Sequence, residues 1–382
     1  MKRCCLLLVL LLILPLLPCP ASAVELDISG KSALLMDVAT GTILYEKNAH
    51  EKLAPASVTK VMTLLLIMES IDSGKIRWED SVTASEAAAA KGGSQIYLKV
   101  GETMSVSDMV KSIAVSSAND CACAMAEHIA GSEAAFVELM NRRAEELGMT
   151  DTHFVNCTGL DDSENAWEHR TCSHDIALMS RELMKYHPDI KKYTTIWMDT
   201  IRDGTFGLSN TNKLIRFYPG ATGLKTGFTS GAGYCLSATA LRDGLELIAV
   251  VMGCETSKER TAACKSMLDY GFANFALVTP AVEENTAVPV TLGHSSSITA
   301  VPETNPQLLV DKAKKDGITT DILLEESVTA PVNQGQRLGT MTVRSGDQIL
   351  AEVPLVASAS VPRLTWWDIT VKVLRQVAMA KA

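Results

Sequence analysis

The stretch 54–70, APASVTKVMTLLLIMES, decides how this chain folds. Pro55 restricts the backbone just ahead of Ser57, which suits a loop entering a helix. The residues after Lys60 are almost wholly apolar: Val61, Met62, Leu64, Leu65, Leu66, Ile67 and Met68. A helix apolar on all sides is buried at the centre of a domain, and this one is too short and too interrupted to span a bilayer. Ser57 and Lys60 stand three residues apart at its start and share one face. At a helix N-terminus the unpaired N–H groups and the dipole favour negative charge. A serine there, with an amine one turn away, is arranged to become a nucleophile.

Around this helix the pattern is that of an α/β unit. Residues 31–44 read as a hairpin turning at Ala39-Thr40-Gly41. A strand is expected over 78–81 and a short helix over 84–90, broken by Lys91-Gly92-Gly93-Ser94. Helical periodicity over 106–115, 120–130 and 132–147 predicts an inserted helical subdomain. Residues 154–162 read as a polar loop, and 173–186 as a helix with Ser173 as its N-cap. After Gly220 the stretch 221–233 reads as a turn, although its Lys225-Thr226-Gly227 is placed on the first strand of the late hairpin. Two long alternating strands then form an antiparallel hairpin, covered by a helix over 257–270. The first segment is therefore an antiparallel sheet with covering helices and a helical insert.

Beyond Val278-Thr279-Pro280 the texture changes to short strands and turns as far as about 358, a small all-β domain with no cluster of titratable groups. After Pro362, Leu364, Trp367, Val371 and Leu374 mark one face of a helix, which Trp366, Val373 and Val377 widen. Arg363, Lys372, Arg375 and Lys381 add positive charge. A basic helix with tryptophans reads as lying in a membrane interface. The other reading is a helix docked on the protein's own domain. At the N-terminus, Lys2 and Arg3, an apolar run from Leu6 to Leu17 and Ala21-Ser22-Ala23 form a secretory leader cleaved after Ala23. The expected division is a leader 1–23, a catalytic domain 24–276, an all-β domain 277–360 and an amphipathic tail 361–382.

The chain of 382 residues has a net charge of −9 and no Lys/Arg-rich block, which argues against nucleic acid as a partner. Of ten cysteines, Cys4, Cys5 and Cys19 fall in the leader, leaving seven. An odd number cannot all pair within one chain. Most read as buried thiols, with Cys157–Cys172 as one candidate disulfide. No Cys or His spacing suggests zinc, and neither metal nor cofactor is expected. His128, His153, His169 and His174 lack a triad pattern and read as structural.

Two further triplets join Ser57-x-x-Lys60: Ser117-Ala118-Asn119 at a helix junction, and Lys225-Thr226-Gly227. The ordered set Ser-x-x-Lys, Ser-x-Asn, Lys-Thr-Gly is the signature of class A β-lactamases and penicillin-binding proteins. Through LAPASVTKVMT, SSAND, NTNKLI, GLKTGFTSGAGYCLSATA and ERTAACKSMLDYGF the chain resembles the low-molecular-mass penicillin-binding proteins, the D-alanyl-D-alanine carboxypeptidases of serine peptidase family S11. The resemblance covers nearly the whole length and extends to the β domain and the tail. It implies the penicillin-binding/β-lactamase-like transpeptidase fold, peptidoglycan stem peptides as substrate, β-lactams as covalent inhibitors, and a tail tethered to the outer face of the cytoplasmic membrane.

That resemblance also implies the roles. Ser57 attacks the carbonyl of the penultimate D-Ala. Lys60, its pKa lowered by burial and by the charge of Lys225, takes the proton. Ser117 bridges Lys60 and the leaving group. Asn119 holds Lys60 and the substrate carbonyl through its amide. The N–H groups of Ser57 and Phe228 form the oxyanion hole. Gly227 leaves room for substrate along the strand edge. Thr226 and Lys225 bind the terminal carboxylate, with Arg260 as a further candidate. Read without the family, Arg260 is a surface helix charge. The alternatives are a DD-endopeptidase, a β-lactamase and a non-catalytic β-lactam sensor. Against the β-lactamase stands the lack of a Glu-x-x-x-Asn element after Ser-x-Asn.

Overall fold

A computed structural model describes residues 26–162, 164–281 and 286–379; the expected leader lies outside them. Strand β1 (Ser32–Asp37) is buried at every residue and pairs with β2 (Ile43–Lys47). Asp37 closes their turn by accepting the N–H and hydroxyl of Thr40. A 3-10 turn, Ala56–Thr59, leads into α1 (Lys60–Asp72), which is buried from Lys60 through Met68. Ser57 therefore stands in a tight turn ahead of the α-helix rather than on its first turn.

The helical insert comprises α2 (Val106–Ser116), α3 (Asn119–Ala130) and α4 (Glu133–Glu146). Ser105 caps α2 and Ser132 caps α4, each through its side-chain oxygen. The strand expected over 78–81 begins only at Ser81, because Asp80 Oδ2 accepts the Arg77 N–H and makes 77–80 a turn. Helix α5 (Ser173–Tyr186) is capped by Cys172, not Ser173. The Cys172 sulfur accepts the Asp175 N–H, while the Ser173 hydroxyl is engaged with Ser32 and the Ala49 carbonyl.

The late segment holds three strands where two were expected: β3 (Ala221–Thr229), β4 (Gly233–Arg242) and β5 (Leu245–Cys254). The stretch that reads as a turn is a strand paired to β4 along its length. The sheet order is β2-β1-β5-β4-β3, so β3 is an edge. Nor do these strands alternate between buried and exposed. Leu34, Met36, Ile248, Val250 and Met252 join α1 and α5 in one core, while Ala33, Leu35, Leu247, Ala249 and Val251 join a second core on the opposite face. That second core is covered by α6 (Ser257–Asn274), through Met267, Leu268 and Phe272. A sheet covered on both faces buries consecutive residues. Helix α6 opens with a Thr256/Glu259 capping box and reaches the sheet closely at Gly271, where a Cβ would lie 2.4 Å from Leu247.

β6 (Phe275–Val278) leads out of α6. The β region adds β7 (Ala287–Thr291), β8 (Ser297–Pro302), β9 (Leu308–Asp311), β10 (Ile318–Leu324), β11 (Val328–Thr329), β12 (Arg337–Ser345) and β13 (Gln348–Ala357). Six of these form a sheet in the order β10-β12-β13-β8-β7-β11, while β9 pairs with β6. Val288, Ile298, Leu338, Met341 and Leu355 give this region a core of its own. Helix α7 (Trp366–Met379) closes the described chain.

The candidate Cys157–Cys172 disulfide does not form: all seven cysteines of the described residues are buried free thiols. The Cys157 thiol donates to Glu133 Oε1 at 3.2 Å, and the Cys172 sulfur is committed to the α5 cap.

Candidate active site

The 3-10 turn sets Ser57 so that its Oγ lies 3.0 Å from Lys60 Nζ, and the same amine donates to the Thr158 carbonyl at 2.7 Å. Lys60 is fully buried. Burial pulls its pKa down to about 7, against the opposing pull of Cys157 and Asp120. Lys225, on β3, is equally enclosed. Its pKa falls well below the ordinary amine value, first through burial and then through repulsion from Lys60 and Arg260. Burial, one of the two expected causes, lowers the Lys60 pKa.

Ser117 ends α2 in the left-handed region, with φ +64°, a conformation that costs a serine about 1 kcal/mol or more. It is buried, and among the described residues no hydrogen bond joins it to Lys60 or Lys225. Asn119 departs from expectation. Its Nδ2 donates to the Gly92 carbonyl at 2.7 Å, and its Oδ1 is buried without a partner among the described residues. The 92–94 loop packs on that amide, leaving 2.8 Å between Nδ2 and a Cβ at Gly93. Among the described residues the amide makes no hydrogen bond to Lys60.

On β3, Thr226 Oγ1 donates to Thr211 Oγ1 at 2.6 Å. A Cβ at Gly227 would lie 2.7 Å from the Pro55 carbonyl oxygen and 3.1 Å from the Ser57 nitrogen. Its bareness lets the strand meet the Ser57 turn directly, rather than only making room for substrate. Phe228 is half-exposed and packs on Tyr234 with ring centroids 4.3 Å apart. Arg260 is no surface charge. It is buried, and it donates to the carbonyls of Gly227 at 3.3 Å and Cys235 at 3.5 Å and to Ser257 Oγ at 3.1 Å. Its Nε has no partner among the described residues. Burial lowers its pKa.

A hydroxyl, a buried amine, a second buried amine and a guanidinium thus converge where β3 meets the start of α1. A family model for D-alanyl-D-alanine carboxypeptidase, peptidase S11, matches residues 20–256, and one for the penicillin-binding protein 5 C-terminal domain matches residues 277–363. The chain belongs to peptidase family S11. It is 43% identical over 340 residues to the D-alanyl-D-alanine carboxypeptidase DacF of Bacillus subtilis, covering 87% of this chain and 86% of that one. DacC of Escherichia coli is 32% identical over 348 residues, covering 88% and 85%. Penicillin binding protein 5 from Haemophilus influenzae superposes with a TM-score of 0.74 at 29% identity, over 89% of this chain and all of that one. These relatives carry carboxypeptidase and penicillin-binding names and do not favour the β-lactamase, endopeptidase or sensor alternatives.

In this S11 serine carboxypeptidase, several residues that read from sequence as a polar loop shape the site. Asn156 Oδ1 accepts the N–H groups of Thr158 and Gly159 and the Thr158 hydroxyl, which aims the Thr158 carbonyl at Lys60. At Gly159, with φ +80°, a Cβ would fall 1.8 Å from the Ala56 carbonyl oxygen. His169, expected to be structural, braces the Ser57 turn. Its Nδ1 accepts the Val155 N–H, so Nε2 carries the proton and donates to Thr59 Oγ1, which donates to the Ala56 carbonyl. Burial lowers the His169 pKa to about 4, keeping the ring neutral. The one sequence signal for this loop is the turn-forming Asn156-Cys157-Thr158-Gly159 run.

Proposed function

We propose that Ser57 is acylated by the penultimate D-Ala of a peptidoglycan stem peptide ending in D-Ala-D-Ala, releasing the terminal D-alanine, and that water then frees the shortened stem. The observation that carries this reading is the 3.0 Å approach of Lys60 to Ser57 in a setting that holds the amine near pKa 7. A neutral amine keeps its lone pair. One N–H bonded to the Thr158 carbonyl turns that pair toward the Ser57 hydroxyl. As Oγ bonds the carbonyl carbon, its proton passes to Lys60. As the C–N bond breaks, a proton passes through Ser117 to the departing amine. The N–H groups of Ser57 and Phe228 receive the oxyanion. The second N–H of the Asn119 amide donates to the carbonyl of the bound peptide. Thr226 and Lys225 take the terminal carboxylate. That anion raises the Lys225 pKa again, and Arg260 supports the strand from behind.

β-Lactams acylate the same serine. Ser57→Ala abolishes labelling by a fluorescent penicillin and release of D-alanine from a D-Ala-D-Ala pentapeptide, with an unchanged circular dichroism spectrum. Labelling that persists in this variant contradicts the assignment.

The proposed division is a leader 1–23, a catalytic domain 24–276, an all-β domain 277–360 and a tail 361–382 that rests on the outer face of the cytoplasmic membrane. No helix among the described residues is long and apolar enough to cross a membrane. Trp366, Trp367, Val371, Val373 and Leu374 of α7 are exposed rather than docked on the protein, which supports interfacial binding. Removing the chain from Arg363 onward releases the protein from vesicles. Continued sedimentation of the truncated form contradicts the tail's role.

A further inference from the structure

Three chain segments are tied together ahead of the Ser57 turn. The stretch 49–53, which leads toward that turn, is bonded to the start of α5. The Ala49 carbonyl accepts the His174 N–H at 3.1 Å, and Leu53 and Thr171 exchange both backbone hydrogen bonds. The stretch after α4 joins them, where His153 and Arg170 exchange theirs. Asp175 adds a brace, its Oδ2 accepting the Asp151 N–H at 2.9 Å and the Thr152 hydroxyl at 2.8 Å. Backbone held in this way fixes the side chains that rise from it.

Those side chains are His50, Asp151 and Cys172. His50 Nδ1 lies 2.9 Å from Asp151 Oδ2, and Cys172 Sγ lies 3.9 Å from the same oxygen. An imidazole nitrogen, a carboxylate oxygen and a sulfur thus all fall within 4.8 Å of one another. Around zinc, with bonds of about 2.0–2.3 Å, such ligands stand about 3.3–3.6 Å apart, so closing the trio on an ion takes shifts of about 1 Å or less. Cys172 is buried and His50 is largely exposed, which would anchor an ion from within and leave its outer side to water. Lys52 Nζ, 3.4 Å from Asp151 Oδ1, engages the other carboxylate oxygen. The His50 ring rests on His174 with centroids 4.7 Å apart, and His174 Nδ1 meets Asp175 Oδ1 at 3.2 Å. Each ligand comes from a different segment, so no spacing in the sequence announces the trio.

We propose that His50, Asp151 and Cys172 form a zinc site, with water as the fourth ligand, that clamps the approach to the Ser57 turn onto the start of α5. The donor set selects the metal: a thiolate with an imidazole suits zinc, whereas calcium and magnesium take oxygen ligands. The ion replaces the proton shared by His50 Nδ1 and Asp151 Oδ2. Nδ1 then turns its lone pair to the metal, and the ring carries its proton on Nε2. Burial raises the Cys172 pKa to about 12, so the thiol gives its proton to solvent only as the metal–sulfur bond forms. The sulfur still accepts the Asp175 N–H at 3.4 Å, which preserves the α5 cap and orients the ligand. The ion has a structural part, and no step at Ser57 runs through it.

The test adds Zn²⁺ or Co²⁺ to the full, untagged chain after treatment with a chelator and dialysis. One zinc per chain is expected to survive desalting, and the unfolding midpoint to rise by about 5–10 °C at a free zinc concentration about 100 times Kd. Bound Co²⁺ is expected to show a thiolate charge-transfer band in the near ultraviolet and the strong visible absorption of a four-coordinate ion. His50→Ala, Asp151→Asn and Cys172→Ser each weaken zinc binding roughly 10–100-fold. Cys172→Ser also removes the charge-transfer band while keeping an oxygen to cap α5. His50 is largely exposed, so His50→Ala gives a folded variant whatever happens at Cys172, and circular dichroism checks the fold of all three. Failure to retain zinc overturns the site. So does a charge-transfer band that persists in Cys172→Ser, or a zinc affinity that is unchanged in His50→Ala.

Discussion

The catalytic cleft and the β region are built on opposite principles. Around Ser57 the protein buries Lys60, Lys225 and Arg260, holds Ser117 at positive φ, and leaves Asn119 Oδ1 and Arg260 Nε unpaired among the described residues. In the β region beyond residue 285, the buried polar side chain among the described residues is Thr286. Its strands alternate in the ordinary way, as in β7 and β8. Burying an amine or leaving an acceptor unpaired costs stability. A fold that concentrates such costs in one place and avoids them elsewhere marks where its chemistry is done. The β region is a scaffold by the same standard.

The sharpest way to break this contrast is Lys60→Met. Loss of the base slows acylation by penicillin roughly 10²–10⁴-fold, while loss of the buried amine stabilises the fold by about 1–2 kcal/mol. The sign comes from the depressed pKa. Between about 7 and the ordinary 10.5 the unfolded chain holds a proton at Lys60 that the folded chain lacks, so native stability rises with pH across that window. The gain in Tm from Lys60→Met is therefore largest below about pH 7 and shrinks toward 10.5. A lower Tm in the variant at every pH contradicts the idea that the cleft is held at a cost.

Next in size is Gly159→Ala. Its Cβ collides with the Ala56 carbonyl oxygen and must push the Thr158 loop from the Ser57 turn, with an expected cost of roughly 2–4 kcal/mol and a loss of acylation rate. The smallest effect belongs to Gly335→Ala, also at positive φ (+82°) but with open space around the new Cβ. There only the conformational cost of about 1 kcal/mol is expected, and acylation stays unchanged. Comparable losses of acylation in the two variants, measured alongside chemical denaturation, erase the distinction between the regions.

Much of this was legible in the residues because the three triplets and the apolar run after Ser57 are local signals. The α2, α3, α4 and α6 cores can be read from periodicity, and the β strands after residue 286 from alternation. The misreadings share a cause, in that long-range partners decide them. β3 looks like a turn because its glycines hide the β4 pairing. The strands beside it are buried continuously because α5 and α6 cover opposite faces. Cys172 displaces Ser173 as a cap because the Ser173 hydroxyl is bonded to Ser32 and Ala49. Asn119 turns to Gly92, and Arg260 turns inward to the Gly227 carbonyl, through contacts no spacing encodes. The Thr158 carbonyl, which orients Lys60, is a backbone atom and leaves no mark in the residue type that supplies it.

The central claim is that a buried, largely uncharged Lys60 takes the proton of Ser57, and the rate of Ser57 acylation by a penicillin as a function of pH tests it most directly. The account predicts a rate that climbs about tenfold per pH unit under acid conditions, bends near pH 7 and stays level above it. A rate that passes through pH 7 without a bend and rises only near the ordinary lysine value of 10.5 would contradict it.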